Sequence, residues 1–341
     1  MFKTIRDIAV IIMCLSAIGQ AQSTTGFHVV KKITVGGEGG WDYITFDAQS
    51  HRLFASHGTK VVVISTETDK IVGEIPKTEG VHGIAVANEF GRCFISNGRT
   101  STVSIVDLKT LTLLDTVSVG KNPDAILYDS YSHRVFVFNG RSNDATILDA
   151  KKGTVVSTLP LGGKPEFSVT DGKGRIFVNI EDKSEIAVID AKEMKVVSRW
   201  PIKPGEEPSG LAIDVKHNRL FSVCSNKLMV VVDAGNGNII TSLPIGARTD
   251  GCAFDPGTGL AFSANGEGTM TVVREESPSI FSVLENVKTQ VGARTITVDP
   301  KTHTLYIPAA EFGTAPAPTP DRPRPRPPVL PDTFCILKIQ N

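Results

Sequence analysis

The sequence predicts an all-β chain: a seven-bladed β-propeller of four-stranded antiparallel blades, with the ring closed by the N-terminal strand pairing into the last blade. Two observations carry this reading. An aromatic recurs inside a short apolar segment, as Phe54 in HRLFASHG, Phe94 in GRCFISNG, Phe136 in HRVFVFNG, Phe177 in GRIFVNIE, Phe221 in NRLFSVCS, Phe262 in GLAFSANG and Tyr306 in HTLYIPAA. The intervals are 40, 42, 41, 44, 41 and 44 residues. About ten residues after each aromatic comes an alternating run: VVVIST, VSIVDL, ATILDA, IAVIDA, MVVVDA, MTVVRE and FCILKI. A period near 42 made of short strands marks a unit that is one small sheet. Such a sheet buries both faces only by packing against copies of itself around an axis. No stretch carries the 3.6-residue apolar period that a helix needs.

From the N-terminus, Lys3 and Arg6 precede the 11-residue apolar run IAVIIMCLSAI, and GQA then supplies small residues at Gly19 and Ala21. That is the layout of a secretory signal peptide over residues 1–21, cleaved after Ala21, and it implies a periplasmic or secreted protein. The run is too short to span a bilayer, and no second one is long enough to anchor the chain. Residues 27–341 form the single propeller domain. FHVVKKITVGG (27–37) resembles the outermost strand of a blade, TLLDTVSVGKN (112–122), yet precedes the first innermost strand. It is therefore expected to complete blade 7 and to remove two exposed edges. Residues 120–161 show the full unit: DAILYD as strand a, RVFVFN as b, ATILDA as c and TVVSTLPL as d, joined by short turns. The seventh unit ends after strand c.

Between strands b and c of that last unit lies GTAPAPTPDRPRPRPPVLPD (313–332), with eight prolines and three arginines. Polyproline-II geometry would hold it as a semi-rigid flap over the face where b–c loops emerge, with Arg322, Arg324 and Arg326 able to reach an acidic ligand. The simpler alternative is a passive surface insertion. Outside this run, residues 27–341 leave about 42 per blade, as seven blades require.

F-x-x-N closes strand b at Phe94–Asn97, Phe136–Asn139 and Phe262–Asn265, V-x-V-x-D follows, and VGKNPDAI leads into the next strand a. These motifs resemble the YVTN-repeat β-propeller family, the YncE-like proteins, over the whole chain after the leader. Ile180, Cys224 and Ala309 stand where that family prefers Asn. The resemblance implies an exported or surface-associated bacterial propeller and supplies no agreed catalytic set.

The chain is 40% hydrophobic and 21% charged with a formal net charge of zero, so nothing in its balance points to disorder or to a nucleic-acid partner. A monomer is expected. Cys93, Cys224, Cys252 and Cys335 sit among apolar neighbours without a C-x-x-C pair, as buried hydrophobes do. One disulfide among them is compatible with export, and spacing does not select the pair.

Chemistry is expected where the inner strands begin. The residue before each strand a forms the column Asp42, His82, Asp124, Glu166, Ser209, Asp250 and Arg294, facing a shared funnel at the top face. Hard oxygen donors suit calcium, and His82 with Asp42, Asp124 and Glu166 would admit zinc or manganese. The plainer reading is that Asp, Glu and Ser after Pro123, Pro165 and Pro208 are turn residues, with Arg294 neutralising its neighbours. His57, Asn97, Asn139 and Asn265 end strand b on the same face, with His57 expected near His82. His51, His133, His217 and His303 precede strand b in solvent-facing turns.

DAGNGN (233–238) lacks the Gly and Glu of a calcium loop and reads as a c–d turn, no G-x-S-x-G elbow occurs, and Trp-Asp occurs once, at Trp41-Asp42, outside the WD40 position. Besides recognition of a polyanion through Arg322, Arg324 and Arg326, two functions follow from this inventory. One is a scaffold binding a small ligand or a protein through the funnel. The other is a lactonase-type hydrolase whose carboxylate ring holds a divalent ion.

Overall fold

The computed structural model describes residues 25–319 and 325–341. The leader and its cleavage site, together with Arg322 and Arg324, lie outside the described residues. Twenty-eight strands form seven four-stranded sheets, each meandering outward from the axis. No α-helix occurs among the described residues, and so none long and apolar enough to cross a membrane.

Blade 3 matches the repeat unit: strands Pro123–Asp129, Arg134–Asn139, Asp144–Asp149 and Thr154–Pro160, each paired antiparallel with the next. Alternation explains the burial. Strand b is buried from its second residue onward in every blade, because both of its faces meet neighbouring blades. Strand d is half exposed and tolerates Lys, Glu and Thr. The recurring Phe54, Phe94, Phe136, Phe177, Phe221, Phe262 and Tyr306 are all buried. The core is accordingly not one mass but seven apolar clusters, one between each pair of adjacent blades. Truncating such a phenylalanine to alanine costs about 3–5 kcal/mol.

The ring closes as expected. His28–Thr34 pairs antiparallel with Cys335–Gln340, giving the last blade the order N-terminal strand, Cys335–Gln340, Thr304–Ala309, Thr297–Asp299. Asp69 in blade 1 pins both chain ends, accepting from Lys31 at 2.9 Å and Lys338 at 2.9 Å.

A second repeat device was not anticipated from sequence. The arginine opening strand b donates to a carbonyl at the c–d corner of the next blade: Arg52 to Leu108, Arg92 to Ala150, Arg134 to Ala191 and Arg175 to Ala234. Each bond staples two adjacent blades. The residue before each arginine takes positive φ, which selects glycine, asparagine or histidine there: His51, Gly91, His133, Gly174 and Asn218. His303 has the same backbone before the seventh strand b, whereas His217 lies one position earlier, outside this register. The four cysteines are free and buried, and burial raises each thiol above its usual range.

Candidate functional site

The predicted column does assemble at one end of the axis, by a feature that the pattern did not reveal. In blades 2 to 6 its members lie inside strand a rather than before it, each at a β-bulge. Val81 pairs with Asn97 but Ile84 with Ile95, so His82 and Gly83 together oppose Ser96. The same slip falls at Asp124, Glu166, Ser209 and Asp250. A bulge re-aims the side chain that it carries, here toward the axis. The residue after the column must then fit against the neighbouring inner strand. At Gly83, Gly210 and Gly251 a Cβ would lie 2.9, 2.6 and 2.7 Å from atoms of the next blade, so only glycine fits. Tyr43 and Phe167 fill the same position in blades 1 and 4. Their rings meet at 5.4 Å across the axis, leaving cavities of only 40 and 280 Å³ among the inner strands.

The column is a ring of ion pairs. His82 Nδ1 lies 2.6 Å from Asp42 and 3.5 Å from Asp124. Lys164 reaches Glu166 at 2.7 Å and also contacts Glu181. Arg294 donates to Asp250 at 2.7 Å, to Asp42 at 3.4 Å and to the Trp41 carbonyl at 3.1 Å. Burial opposes the charge on His82, but the bond to Asp42 and the charges of Asp124, Asp42 and Glu166 outweigh it and raise the imidazole to about 9. Burial, reinforced by Asp42, raises Asp124 to about 7 against the pull of His82. Burial and the charge of Asp124 raise Glu166 to about 8 despite Lys164. Burial and Asp42 also raise Asp250, opposed by Arg294.

Asp42, His82 and Asp124 each bring one donor atom within 4.8 Å of one another, the spacing that one ion could bridge. Glu166 does not join them, so the expected four-residue set contracts to three. Each carboxylate of the ring meets a cation of the chain itself. The arrangement thus favours a charge-balanced rim over a ligand set waiting for metal. His57 stands apart: it is buried, stacked on Phe334 at 4.3 Å and backed by Gly37, so it does not meet His82. Asn97, Asn139 and Asn265 are buried and tie strand b to strand c through Ser104, Thr146 and Thr271. Their role is structural.

Two cavities share Gly40, Trp41 and Arg294 in their walls. One, of 570 Å³, adds Asp42, His82, Glu38 and Arg99. The other, of 680 Å³, adds Arg248, Asp250, Phe312, Arg326 and Val329. The base of the proline-rich loop forms this second wall. Phe312 bridges Val329 as a short ladder, and the Phe312 ring lies 5.8 Å from Trp41. Arg294 sits over the Trp41 ring at 5.8 Å, and the buried Trp41 Nε1 has no hydrogen-bond partner among the described residues. Sequence reading placed the loop on this face but missed Trp41 and Arg248; the lone Trp-Asp pair at the head of the column was the available signal.

Fold and site define a seven-bladed β-propeller. The chain is similar to the RRP9 WD40 repeats (TM-score 0.75, 9% identity, covering 94% of this chain and 99% of that one). It is also similar to a chain of the mitotic checkpoint complex (TM-score 0.71, 11% identity, 89% and 95% covered). A chain of Kuenenia stuttgartiensis hydrazine synthase matches with TM-score 0.69 and 16% identity over 79% of this chain and 92% of its own. At these identities the likeness shows the fold alone. No protein-family model matches the chain, and no curated protein matches it.

Proposed function

We propose that this chain is an exported binding propeller of the YVTN-repeat kind, whose loop-bearing face takes a carboxylate-bearing ligand with an apolar body. The observation that carries it is the 680 Å³ cavity, in which Trp41 and Phe312 offer apolar surface beside Arg248, Arg294 and Arg326. Arg294 is occupied by Asp250 and Asp42, whereas Arg248 and Arg326 have no ion-pair partner among the described residues. Two unpaired guanidinium groups beside an aromatic wall suit a planar carboxylate, which they can grip in bidentate fashion. A small acid and an acidic side chain of a protein partner present the same chemistry. The pairwise neutralised column supports binding over hydrolysis.

The test uses benzoate and benzamide as probes, followed by calorimetry and tryptophan fluorescence. Benzoate is expected to bind and to perturb Trp41, benzamide to bind at least about tenfold more weakly, and Arg248→Ala with Arg326→Ala to remove the difference. Equal binding of the two probes, or unchanged benzoate affinity in the double variant, would overturn the reading. If a protein is the natural partner, benzoate should compete with it. Export rests on the leader; N-terminal sequencing of protein recovered from the periplasm should begin at Gln22, and an intact Met1 there would refute cleavage.

A further inference from the structure

The a–b turns of blades 1, 3, 6 and 7 on the opposite face follow one rule, and blade 5 departs from it in a way of its own. Strand a ends in a buried aspartate whose carboxylate holds the turn. One oxygen accepts a backbone N–H two residues on, as at Asp47, Asp255 and Asp299. A carboxylate oxygen also takes the hydroxyl three residues on: Ser50 for Asp47, Ser132 for Asp129, Thr258 for Asp255 and Thr302 for Asp299. Asp214 keeps the first bond, accepting from Lys216 N at 2.8 Å. Three residues on, however, the hydroxyl is replaced by His217.

A second departure meets the first. The residue after strand c, whose N–H bonds to the carbonyl before strand b, is Leu108, Ala150, Ala191 or Ala234 in blades 2 to 5, each buried. In blade 6 the same backbone bond, to Gly259 O, is made by Glu275. Strands c and d of that blade run to nine residues, Thr269–Ser277 and Ile280–Lys288, and carry Glu275 against the blade 5 turn. His217 Nδ1 lies 2.6 Å from Asp214 Oδ2 and 3.0 Å from Glu275 Oε1. The Asp214 and Glu275 side chains are each only 3% exposed. These are ion pairs by distance, but at angles poor for hydrogen bonding, and Asp214 Oδ2, His217 Nδ1 and both Glu275 carboxylate oxygens are buried with no well-aligned partner among the described residues. The nearby Arg219 does not relieve them, because it turns to Pro278 O and Asp233.

Two buried carboxylates that share a single imidazole nitrogen, at angles poor for hydrogen bonding, leave more negative charge than that imidazole can balance. One ligand atom of each residue falls within 4.8 Å of the others. We infer that Asp214, His217 and Glu275 form a site for a divalent transition cation that clasps blade 5 to blade 6. The imidazole argues for zinc or a similar borderline ion over calcium or magnesium, which take oxygen donors. Donors about 2.0–2.2 Å from such an ion stand roughly 3.3 Å apart, so the trio need only open slightly. The clasp would add to the staple that Arg219 of blade 5 already makes to Pro278 O at the c–d corner of blade 6.

Zinc chloride titrated into the full, EDTA-treated chain and followed by calorimetry tests this. Binding is expected in the wild type and in His82→Gln, and weaker by at least about tenfold in His217→Ser and in Glu275→Ala. Both variants restore residue types that the repeat itself uses, so both should fold, with metal-free melting temperatures at or above that of the wild type. No zinc binding by the wild type would overturn the site, as would undiminished binding in both blade 5–6 variants or a loss confined to His82→Gln. A large drop in the metal-free melting temperature of either variant would also count against it, since the three side chains would then stabilise the fold without an ion.

Discussion

His82, Asp124 and Glu166 all hold their protons to higher pH than ordinary groups of their kind, and the sign of the consequence is the same for each. The folded protein binds protons that the unfolded chain releases between the usual values of 3.8 for Asp, 4.5 for Glu and 6.5 for His and the raised values of about 7, 8 and 9. Stability from these groups is therefore full at the acid end and is lost as pH rises through that window. The melting temperature should fall by several degrees from pH 5 to pH 9, at about 2–4 °C for each kcal/mol in a chain of this size or larger. Asp124→Asn should flatten the lower part of the slope and His82→Gln the upper part. A wild-type melting temperature that rises with pH over this range would contradict the ion-pair ring. The residue types of the column were legible in the sequence; their mutual pairing was not, because it depends on bulges that move each side chain by one position.

The proline-rich loop shows how an element can be placed by pattern and still be misread in part. Its position between strands Thr304–Ala309 and Cys335–Gln340 follows from the repeat alone. Its base is more ordered than proline content suggests: Gly313 donates to Pro328 O at 2.9 Å and Leu330 to Glu311 O at 2.9 Å, while Phe312 and Val329 pack with Trp41 in the apolar cluster between blades 7 and 1. The contact of Trp41 with Phe312 joins residues far apart in the chain and leaves no local trace, so this ladder could not be read from the sequence. Strand periodicity, by contrast, is local and was legible throughout. The stabilising contacts of the loop thus lie at its base, around Phe312 and Val329. Replacing 314–327 by a short Gly-Ser link should leave the melting temperature within a few degrees of wild type, because the described residues of that span, 314–319 and 325–327, join no apolar cluster. Phe312→Ala should cost about 2–4 kcal/mol and enlarge the ligand cavity. Equal effects of the two changes in a thermal melt would refute that placement.

At the scale of the molecule, stability hinges on closing a ring whose blades pack on their neighbours, with Tyr43 and Phe167 the contact across the axis. Seven separate apolar clusters give no central mass to hold an open ring together, so the seam in blade 7 decides whether all seven interfaces exist at once. That seam joins the two ends of the described chain: the N-terminal strand His28–Thr34 supplies the last strand, Phe27 packs edge-on against Phe262 at 5.4 Å, and Asp69 holds Lys31 and Lys338 together. Burial works against the Asp69 charge, but hydrogen bonds from the two lysines outweigh it and lower the carboxyl below its usual range. Its contribution is therefore present at neutral pH and lost as pH falls through the acid range, opposite in sign to the column. Asp69→Asn should cost about 1 kcal/mol at pH 7 and little at pH 3, since the lysines are part-exposed and the pairs partly screened. Deleting 25–34 acts on the same seam far more strongly, leaving Cys335–Gln340 as an apolar edge and the cluster around Phe262 without its cover. Such a chain should lose its cooperative melt or associate through the open edge, by light scattering or size-exclusion chromatography, and a peptide spanning 25–36 added in trans should restore the melt of the full chain. A truncated chain that melts as the full one does would show that the ring does not depend on this strand.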